Sequence, residues 1–332
     1  MERMTGRSVA LLALLAIAAF AAPSLAESTT LRLIARIAIL GLLALSVNLA
    51  LGVTGLPTLA GGLFFGVGGY CVALASLHLN YDAVPMLIAA PFAAAAVAAV
   101  SGLFVFRAKE LYFALITLAL AQAMFVVVVQ WYSVTQGDDG IHGVNVPTWL
   151  GPIEARYRLA IAVVFVAALS MQVIIASPFG AALKAIRQNR DRVRFLGLRP
   201  RGYEYAAWVL SAMYAAIAGG LMVIVDQSAT PDVFHWSFST VPLLMCIIGG
   251  TAYFFGPLAG AAFAELVQEY ARSWSGRTSL MYGVAVLLIA ISRRDGIIGI
   301  TRDAATRVGS AFLRARQPDG ARHDVVESPD AL

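Results

Sequence analysis

The sequence predicts an all-α protein that crosses a membrane several times. Of its 332 residues, 60% are hydrophobic and only 13% are charged, and the mean hydropathy is +0.78. An average soluble domain has about 25% charged and about 45–50% apolar residues. The apolar residues also gather into runs near the roughly 20 residues that a helix needs to cross the hydrocarbon core. A soluble globular protein is therefore excluded, and so is disorder over most of the chain.

Ten apolar stretches approach the length of a membrane span, and we expect about ten transmembrane helices from them. Glycine and proline interrupt the third, eighth and ninth stretches, so we expect these helices to be broken. The ten stretches are 9–26, 31–51, 60–79, 86–106, 111–131, 158–176, 204–225, 239–255, 257–272 and 279–293.

The first stretch has two interpretations. Arg3 and Arg7 precede it, and Ser24-Leu25-Ala26 resembles the small-residue cleavage site of a signal peptide. The next apolar stretch begins at residue 31 and further stretches follow it. We therefore interpret the first stretch as an uncleaved signal anchor.

Basic residues set the predicted orientation, because Lys and Arg accumulate in cytoplasmic loops. Segment 177–203 is predicted to be cytoplasmic, segment 132–157 external, and both termini cytoplasmic. We divide the chain into a transmembrane domain over 1–300 and a polar, disordered cytoplasmic tail over 301–332. Four arginines fall on the side that this rule disfavours: Arg32, Arg36, Arg272 and Arg277.

Motifs of enzyme chemistry are missing from the sequence. There is no phosphate-binding loop of the G-x-x-x-x-G-K-[ST] type, so the chain has no ATP site of that kind. Cys71 and Cys246 are too few for a zinc site or a disulfide framework, and the four histidines show no metal-ligand spacing. We expect no catalytic residue, no metal site and no cofactor of the chain itself.

Segment 177–204 is predicted to form an amphipathic helix beside the membrane. Ser177 suits the N-cap position and Pro178 the first turn, while Gly197 suits the residue after the helix and Pro200 prevents its continuation. We expect one helix of about 16–19 residues. Its apolar face consists of Leu183, Ile186, Val193 and Leu196, and its polar face of Lys184, Arg187, Asp191 and Arg194.

The positive charge of the chain is concentrated in this segment. It holds seven basic and two acidic residues, which accounts for the whole formal net charge of +5. Three interpretations are open on this pattern: a loop that sets topology and touches anionic lipid, a surface that docks a cytoplasmic subunit, or a nucleic-acid patch. The proximity of the membrane argues against the last.

Several motifs resemble those of the permeases of branched-chain amino-acid ABC transporters, of the LivM-like type, and they occur in the same order as in that family. They are SPFGAALKAIRQN from Ser177, followed by LGL; LALSVNLALGVTGLPTLAGGLFFGVGGYCVAL (43–74); ELYFALITLALAQ (110–122); TQGDDGIHGVNVP (135–147); LLMCIIGGTAYFFGPLAGAAF (243–263); and RRDGIIG (293–299).

The resemblance implies a fold like that of type II ABC importers and a role as one permease subunit. It implies as partners a second permease subunit, two cytoplasmic ATPase subunits that bind the ATP, and an external, periplasmic binding protein that delivers a small-molecule substrate. The location implied is the lipid bilayer of the bacterial inner membrane, without nucleic acid. The implied coupling residues toward the ATPase are Lys184, Arg187, Arg190, Asp191, Arg194 and Gly197.

Two departures from the family pattern bear on the substrate. Gly61 stands where the family commonly has a histidine, and Val241 where it often has a glutamate. We therefore expect either a branched-chain amino acid or a related small solute, such as an amide, urea or a small organic acid.

Polar residues and glycines within the spans are candidates for the transport pathway, because buried polar groups in membranes face the protein interior. Each has a structural alternative: an interhelical hydrogen bond for Asn48, close helix packing for the glycines, and a structural or cavity-facing role rather than proton coupling for Glu265. The pathway candidates are Asn48, Gly61, Gly62, Gln122 and Glu265.

The loop over 135–147 is predicted to be external, with Asp138, Asp139 and His142 as its candidate residues. This loop either contacts the binding protein or a gate, or it forms a solvated turn made by its glycines. An alternative function for the whole chain is a stand-alone secondary transporter that couples its substrate to an ion through Glu265 or Asp226.

Overall fold

The computed structural model describes residues 27–79, 82–108 and 110–273, together with Gly283. The first predicted span, the last one apart from Gly283, and the tail predicted over 301–332 lie outside the described residues. The described helices are α1 (Ser28–Asn48), α2 (Gly61–Leu79), α3 (Ala83–Val105), α4 (Glu110–Gln130), α5 (Tyr132–Thr135), α6 (Ile153–Ala176), α7 (Pro178–Gln188), α8 (Arg190–Phe195), α9 (Pro200–Asp226), α10 (Trp236–Gly249) and α11 (Gly256–Ser273).

Long apolar helices make up most of this part of the chain. Six of them, α1, α2, α3, α4, α6 and α9, are long and apolar enough to cross a membrane. α10 is a shorter apolar helix of 14 residues, and α11 has 18 residues. The predicted helical, multi-pass membrane fold is confirmed, whereas the predicted count of ten spans is not.

The bundle has two ends, which α9 separates. This helix has 27 residues, so it is about 40 Å long. The end before Pro200 carries α7 and α8, and we call it the loop end. At the other end, strand β1 (Ile141–His142) pairs antiparallel with strand β2 (Ser228–Ala229) just after α9, and we call this the ribbon end.

α1 lies at the centre of the bundle. It packs against α6, α9, α10 and α11, and 83% of its most apolar stretch is buried, against 28% for α3 and 22% for α4. α1 therefore forms the protein interior, while α3 and α4 leave apolar faces for lipid or another subunit.

The central helix is broken at the loop end. Residues Leu49–Thr54 continue α1 as a π-helical turn, and Gly55 then takes a left-handed backbone with φ 83°. Residues 55–60 have no regular secondary structure before α2 begins at Gly61. The break predicted within the third span is therefore wrong, because α2 is continuous over Gly61–Leu79 and the irregular backbone lies just before it.

Side chains satisfy the amides that this interruption frees. The backbone N–H of Leu59 donates to Thr117 Oγ1 at 3.1 Å, and that of Gly62 donates to Ser239 Oγ at 3.2 Å. Irregular backbone is tolerated at membrane depth only where protein groups satisfy its hydrogen bonds. The break therefore ties α2 to helices that are distant in the sequence.

Glycines let α2 and α9 approach until their backbones touch. A Cβ added at Gly68 would collide with the backbone of Ala216, and one added at Gly219 would collide with the carbonyl of Phe65. Lipid tails are as apolar as core side chains, so membrane helices depend on such close packing for their association.

The hairpin of α10 and α11 depends on glycines in the same way. A Cβ at Gly249 would collide with the backbone of Gly256, and Gly250 turns the chain with φ 101°. The helix predicted over 239–255 is therefore wrong in its last part, because a backbone that only glycine adopts readily ends α10 at residue 249.

Gly219→Ala should destabilise the protein, because the new methyl group collides with the backbone carbonyl of Phe65, which has no side-chain freedom to move away. We expect the free energy of unfolding to fall by about 1–3 kcal/mol, measured as thermal unfolding in detergent micelles. The control is Gly202→Ala on the same helix, where nothing lies within 4 Å of the added Cβ. Equal melting temperatures of the two variants would contradict the assigned helix packing.

Candidate functional site

The loop end carries two short helices where the sequence predicts one. α7 ends at Gln188, and Asn189 takes an extended backbone with φ −160°. The Asn189 side chain accepts a hydrogen bond from the backbone N–H of Arg192 at 2.9 Å and so caps α8. The prediction of a single helix is wrong, because this asparagine stabilises a new helix start in place of continuation.

Of the residues predicted to mark the ends of this segment, three are confirmed and Ser177 is not confirmed as a capping side chain. Pro178 lies in the first turn of α7, and Gly197 takes the left-handed backbone expected after a helix, with φ 83°. Pro200 opens α9 and so ends the connection. Ser177 precedes α7, but its hydroxyl donates to the carbonyl of Ile174 at 2.7 Å and makes no capping bond.

The apolar face is confirmed over most of its length. Leu183, Ile186 and Val193 are buried. Leu196 was predicted on the same face, and this is wrong, because its side chain is 75% exposed. The break at Asn189 changes the direction of the chain, so the spacing of one continuous helix no longer applies to the residues after it.

The side chains of two predicted coupling residues donate hydrogen bonds to backbone carbonyls of the bundle. The Nζ of Lys184 donates to the carbonyl of Ile175 at 3.2 Å, and burial lowers the pKa of this ammonium group. The guanidinium of Arg187 donates to the carbonyl of Gly52, within the broken end of α1. α7 is therefore bonded to the central helix at the point where that helix loses its regular geometry.

The other coupling candidates lie at the surface. Arg190 forms an ion pair with Glu204 of α9, with 2.7 Å between Nη2 and Oε2, and Glu204 is only 4% exposed. Asp191 and Arg194 are exposed. A groove of about 600 Å³ runs beside α8, and we call it the arginine groove; its arginines are Arg190, Arg194, Arg199 and Arg201.

Asn48 lies between two broken segments. It is 2% exposed, and its Oδ1 has no hydrogen-bond partner within the described part of the chain. A Cβ at Gly52 would collide with this oxygen and would lie 2.7 Å from the carbonyl oxygen of Thr251. The end of α1 and the turn between α10 and α11 therefore meet at this residue.

Gly61 and Gly62 begin α2 against α10. A Cβ at Gly61 would lie 2.9 Å from Val47 and 3.3 Å from Pro242. A Cβ at Gly62 would lie 2.6 Å from Ser239 Oγ, which also accepts a hydrogen bond from the Gly62 N–H. The surroundings of both glycines are those of close helix packing.

The remaining pathway candidates lie elsewhere in the bundle. Glu265 of α11 forms an ion pair with Arg36 of α1, with 3.1 Å between Oε2 and Nε. Gln122 of α4 has a buried Oε1 without a hydrogen-bond partner among the described residues. Asn48 lies about 18 Å beyond Arg36 along α1. The structure therefore does not bring Asn48 and Glu265 into one site.

The predicted external loop is a folded turn at the ribbon end. Asp138 and Asp139 are exposed, and the Tyr132 hydroxyl donates to Asp139 Oδ2 at 3.4 Å. His142 pairs with Ser228 in the ribbon, and its Nε2 lies 3.0 Å from the Asp139 carbonyl oxygen. These contacts hold the loop against the chain that follows α9.

A cavity of about 320 Å³ lies at the ribbon end, and none of the five pathway candidates lines it. Its wall includes the charged residues Arg36, Asp226 and Asp232. The sequence contains one indication of this cavity. Arg36 is a charged residue inside a predicted span, and it lies on the side of the membrane that the positive-inside rule disfavours. We call it the ribbon-end cavity.

A bundle of long apolar helices around a broken central helix, with a basic surface at one end and a charged cavity at the other, defines a multi-pass membrane permease. The family described as the permease component of branched-chain amino acid transport systems matches residues 29–292. The chain belongs to this family, which confirms the resemblance of its motifs, and it is a permease subunit of an ABC importer.

Curated relatives cover most of the chain at low identity. The high-affinity branched-chain amino acid transport system permease proteins LivM of Escherichia coli strain K12 and Salmonella typhimurium strain LT2 are each 25% identical over 288 residues. The match covers 79% of this chain and 68% of the relative in both cases. A probable LivM of Methanocaldococcus jannaschii is 23% identical over 217 residues, 58% of this chain and 61% of the relative. No solved structure matches the chain.

Arg190→Gln should destabilise the loop end, because the buried Glu204 carboxylate loses its charged partner. The Arg190 side chain is 49% exposed, so we expect a loss of about 1–2 kcal/mol in unfolding free energy, less than for a fully buried pair. The double variant R190Q/E204Q should recover most of the melting temperature. The exposed neighbour Arg192→Gln serves as the control, and a wild-type melting temperature for R190Q would show that the pair does not stabilise the fold.

Proposed function

We propose that this permease forms part of the pathway of an ATP-driven importer and that its loop end transmits movements of partner ATPase subunits to the broken central helix. The solute is a branched-chain amino acid or a related small molecule, such as an amide, urea or a small organic acid. The observation that carries this proposal is the hydrogen bond from Arg187 to the Gly52 carbonyl. It joins a surface helix to a span at the point where the span is broken.

The loop end has the composition of a protein-docking surface. Exposed arginines line the arginine groove, and the side chains of Phe195 and Leu196 are 91% and 75% exposed. Arginine and aromatic residues are enriched at protein interfaces, and exposed apolar side chains next to polar ones mark such surfaces. We assign the ATPase contact to this surface and, because its basic residues favour the cytoplasm, the loop end to the cytoplasmic side.

ATP would be bound and hydrolysed on the partner subunits. The sequence contains no phosphate-binding loop of the Walker type. The chain would therefore receive mechanical work through its surface helices rather than chemical energy at a site of its own.

The route of coupling follows the broken segment. A shift of α7 would move the Gly52 carbonyl and the π-helical turn Leu49–Thr54 with it. This turn leads through residues 55–60 into α2, where the Gly62 amide donates to Ser239 Oγ. Broken helices beside a substrate route are typical of alternating-access transporters. Movement at the loop end would thus change the packing of α1, α2 and α10 together.

The other partners would occupy the remaining surfaces. The ribbon end would face the external side and receive the solute from a periplasmic binding protein near the folded turn of Asp138, Asp139 and His142. A second permease subunit or lipid would cover the apolar faces of α3 and α4, which are mostly exposed. In this arrangement the protein lies in the bacterial inner membrane with both termini in the cytoplasm.

Arg187→Ala should uncouple ATP hydrolysis from transport, because it removes the bond between α7 and the Gly52 carbonyl while leaving the docking surface intact. We expect the complete importer to assemble and hydrolyse ATP, with solute uptake reduced by roughly tenfold or more. Uptake and hydrolysis are measured together in proteoliposomes, with the exposed neighbour Gln188→Ala as control. Wild-type uptake by the Arg187 variant would rule out this coupling route.

Arg194→Glu should weaken binding of the ATPase subunits, because it reverses an exposed charge that lines the arginine groove. We expect co-purification of the ATPases to fall by roughly tenfold, and Arg194→Lys, which keeps the charge, to retain most of it.

If this chain alone took up solute and collapse of an ion gradient stopped it, the protein would instead be a secondary transporter.

A further inference from the structure

A smaller pocket lies at the loop end, and we call it the loop-end pocket. It is bordered by the broken end of α1, the connection from α3 to α4, and the joint of α7 and α8, with Gly55, Phe106 and Arg187 in its wall. Its volume of about 270 Å³ is just below the roughly 300–1,000 Å³ of small-molecule sites. The pocket therefore has room for a small polar group but not for a nucleotide or a peptide.

The loop-end pocket carries a positive charge that the protein leaves unbalanced. Its charged wall residues among those described are Arg187, Arg190 and Glu204. Arg190 and Glu204 pair with each other, and Arg187 forms no ion pair within the described part of the chain. Arg190 also lines the arginine groove, so the other arginines of that groove add to the positive potential. The pocket is therefore expected to attract an anion.

Arg187 is placed to bind such an anion. A guanidinium presents several N–H donors in one planar fork, and the bond to the Gly52 carbonyl comes from one nitrogen of that fork, Nη1. The aliphatic stem packs at Gly55, where an added Cβ would lie 3.0 Å from Arg187 Cγ. Arg187 is thus fixed at its stem and at one edge of the guanidinium, and the remaining donors match two oxygens of one phosphate group.

The pocket lies at the depth where membrane spans end. α3 ends at Val105 and α4 begins at Glu110, and the connection between them contributes Phe106 and Ala108 to the wall. Spans end at the level of the polar headgroups, so the phosphates of one leaflet surround this connection. Basic pockets between membrane helices are typical sites for anionic headgroups. The nearest source of a phosphate is therefore a phospholipid.

An exposed apolar surface continues from the pocket along α3 and α4. Inside the wall the rings of Phe106 and Phe113 contact each other, with 5.4 Å between their centroids. Outside it the side chains of Leu103, Phe104 and Leu115 are 62%, 62% and 60% exposed. Acyl chains would cover such a surface, whereas a soluble anion would leave it bare.

We propose that the loop-end pocket binds the phosphate of an anionic phospholipid from the leaflet on that side of the membrane. Arg187 donates to the phosphate oxygens, and the acyl chains lie along the exposed faces of α3 and α4. The bound phosphate keeps Arg187 in the position from which it bonds the Gly52 carbonyl, so the lipid stabilises the joint between α7 and the broken central helix. This lipid site is independent of the transported solute and of ATP hydrolysis.

The charges around the pocket also select among phospholipids. A zwitterionic phospholipid carries the same phosphate, but its cationic group would come next to the arginines of the pocket and of the arginine groove. A headgroup without a cation avoids this repulsion. We therefore expect phosphatidylglycerol to bind in preference to phosphatidylcholine.

The test uses the full chain, purified in detergent micelles and freed of lipid, and measures binding as the rise in melting temperature with added ligand. The probes are phosphatidylglycerol and phosphatidylcholine with the same oleoyl chains, and glycerol 3-phosphate, which has the phosphate but no chains. We expect phosphatidylglycerol to bind about tenfold more tightly than phosphatidylcholine. Glycerol 3-phosphate at the same concentration should leave the melting temperature unchanged.

Two variants with opposite expected effects identify the pocket as the site. Arg187→Gln removes the phosphate ligand, so the preference for phosphatidylglycerol should fall to about twofold or less. Glu204→Gln releases Arg190 from its ion pair, so phosphatidylglycerol should bind about threefold more tightly, a gain that a misfolded variant would not show. Each variant is compared with its own melting temperature without lipid, so a loss of stability is not read as a loss of binding.

Arg107→Gln is the matched control. Arg107 is an exposed arginine on the same connection, but it is not among the residues of the pocket wall, and its guanidinium lies over the Phe104 ring, 5.8 Å from the centroid. This variant should keep the wild-type preference. An equal loss in Arg107→Gln and Arg187→Gln would show only a diffuse attraction of the basic surface to anionic lipid and would refute the site.

Three further outcomes would overturn the lipid site. Equal binding of the two phospholipids would remove the selection by charge. A full shift with glycerol 3-phosphate alone would identify a site for a soluble anion. A wild-type preference in Arg187→Gln would place the lipid elsewhere on the chain.

Discussion

Every backbone polar group that a broken membrane helix exposes must be satisfied by the protein, because lipid offers no hydrogen bonds. The broken end of α1 shows how strongly this constraint shapes the structure. The guanidinium of Arg187 on α7 bonds the Gly52 carbonyl, and Thr117 on α4 accepts the Leu59 amide. Because side chains from both helices are needed at one break, the surface helix and two spans are held in a fixed relation. The link between the loop end and the broken central helix follows from this arrangement.

Close backbone packing is the second requirement of the membrane. Burial of apolar side chains brings little gain where the solvent is itself apolar, so helices associate through small residues. Gly68 and Gly219 bring α2 and α9 together, and Gly249 does the same for α10 and α11. Glycines of α2 and α9 also line the ribbon-end cavity.

The charged residues are arranged differently at the two ends of the bundle. At the loop end most of them are basic and exposed, which suits contact with a partner protein and with the cytoplasmic side. At the ribbon end both signs occur, and Arg36 is paired with Glu265 within the bundle. A charge inside a span is costly unless it is paired or functional. Arg36 satisfies the first condition through its ion pair with Glu265.

The sequence by itself determined the helical membrane fold, the positions of most spans, the basic segment and the family, because these depend on local composition and short-range spacing. It missed the break at Asn189 and the early end of α10 at Gly249, where one side-chain cap or one glycine backbone decides between two local structures. Only the tertiary structure decided that Arg187 bonds Gly52 and that Arg36 and Asp226 line one cavity. These residues are far apart in the chain, and they meet only because packed helices bring distant positions to the same depth.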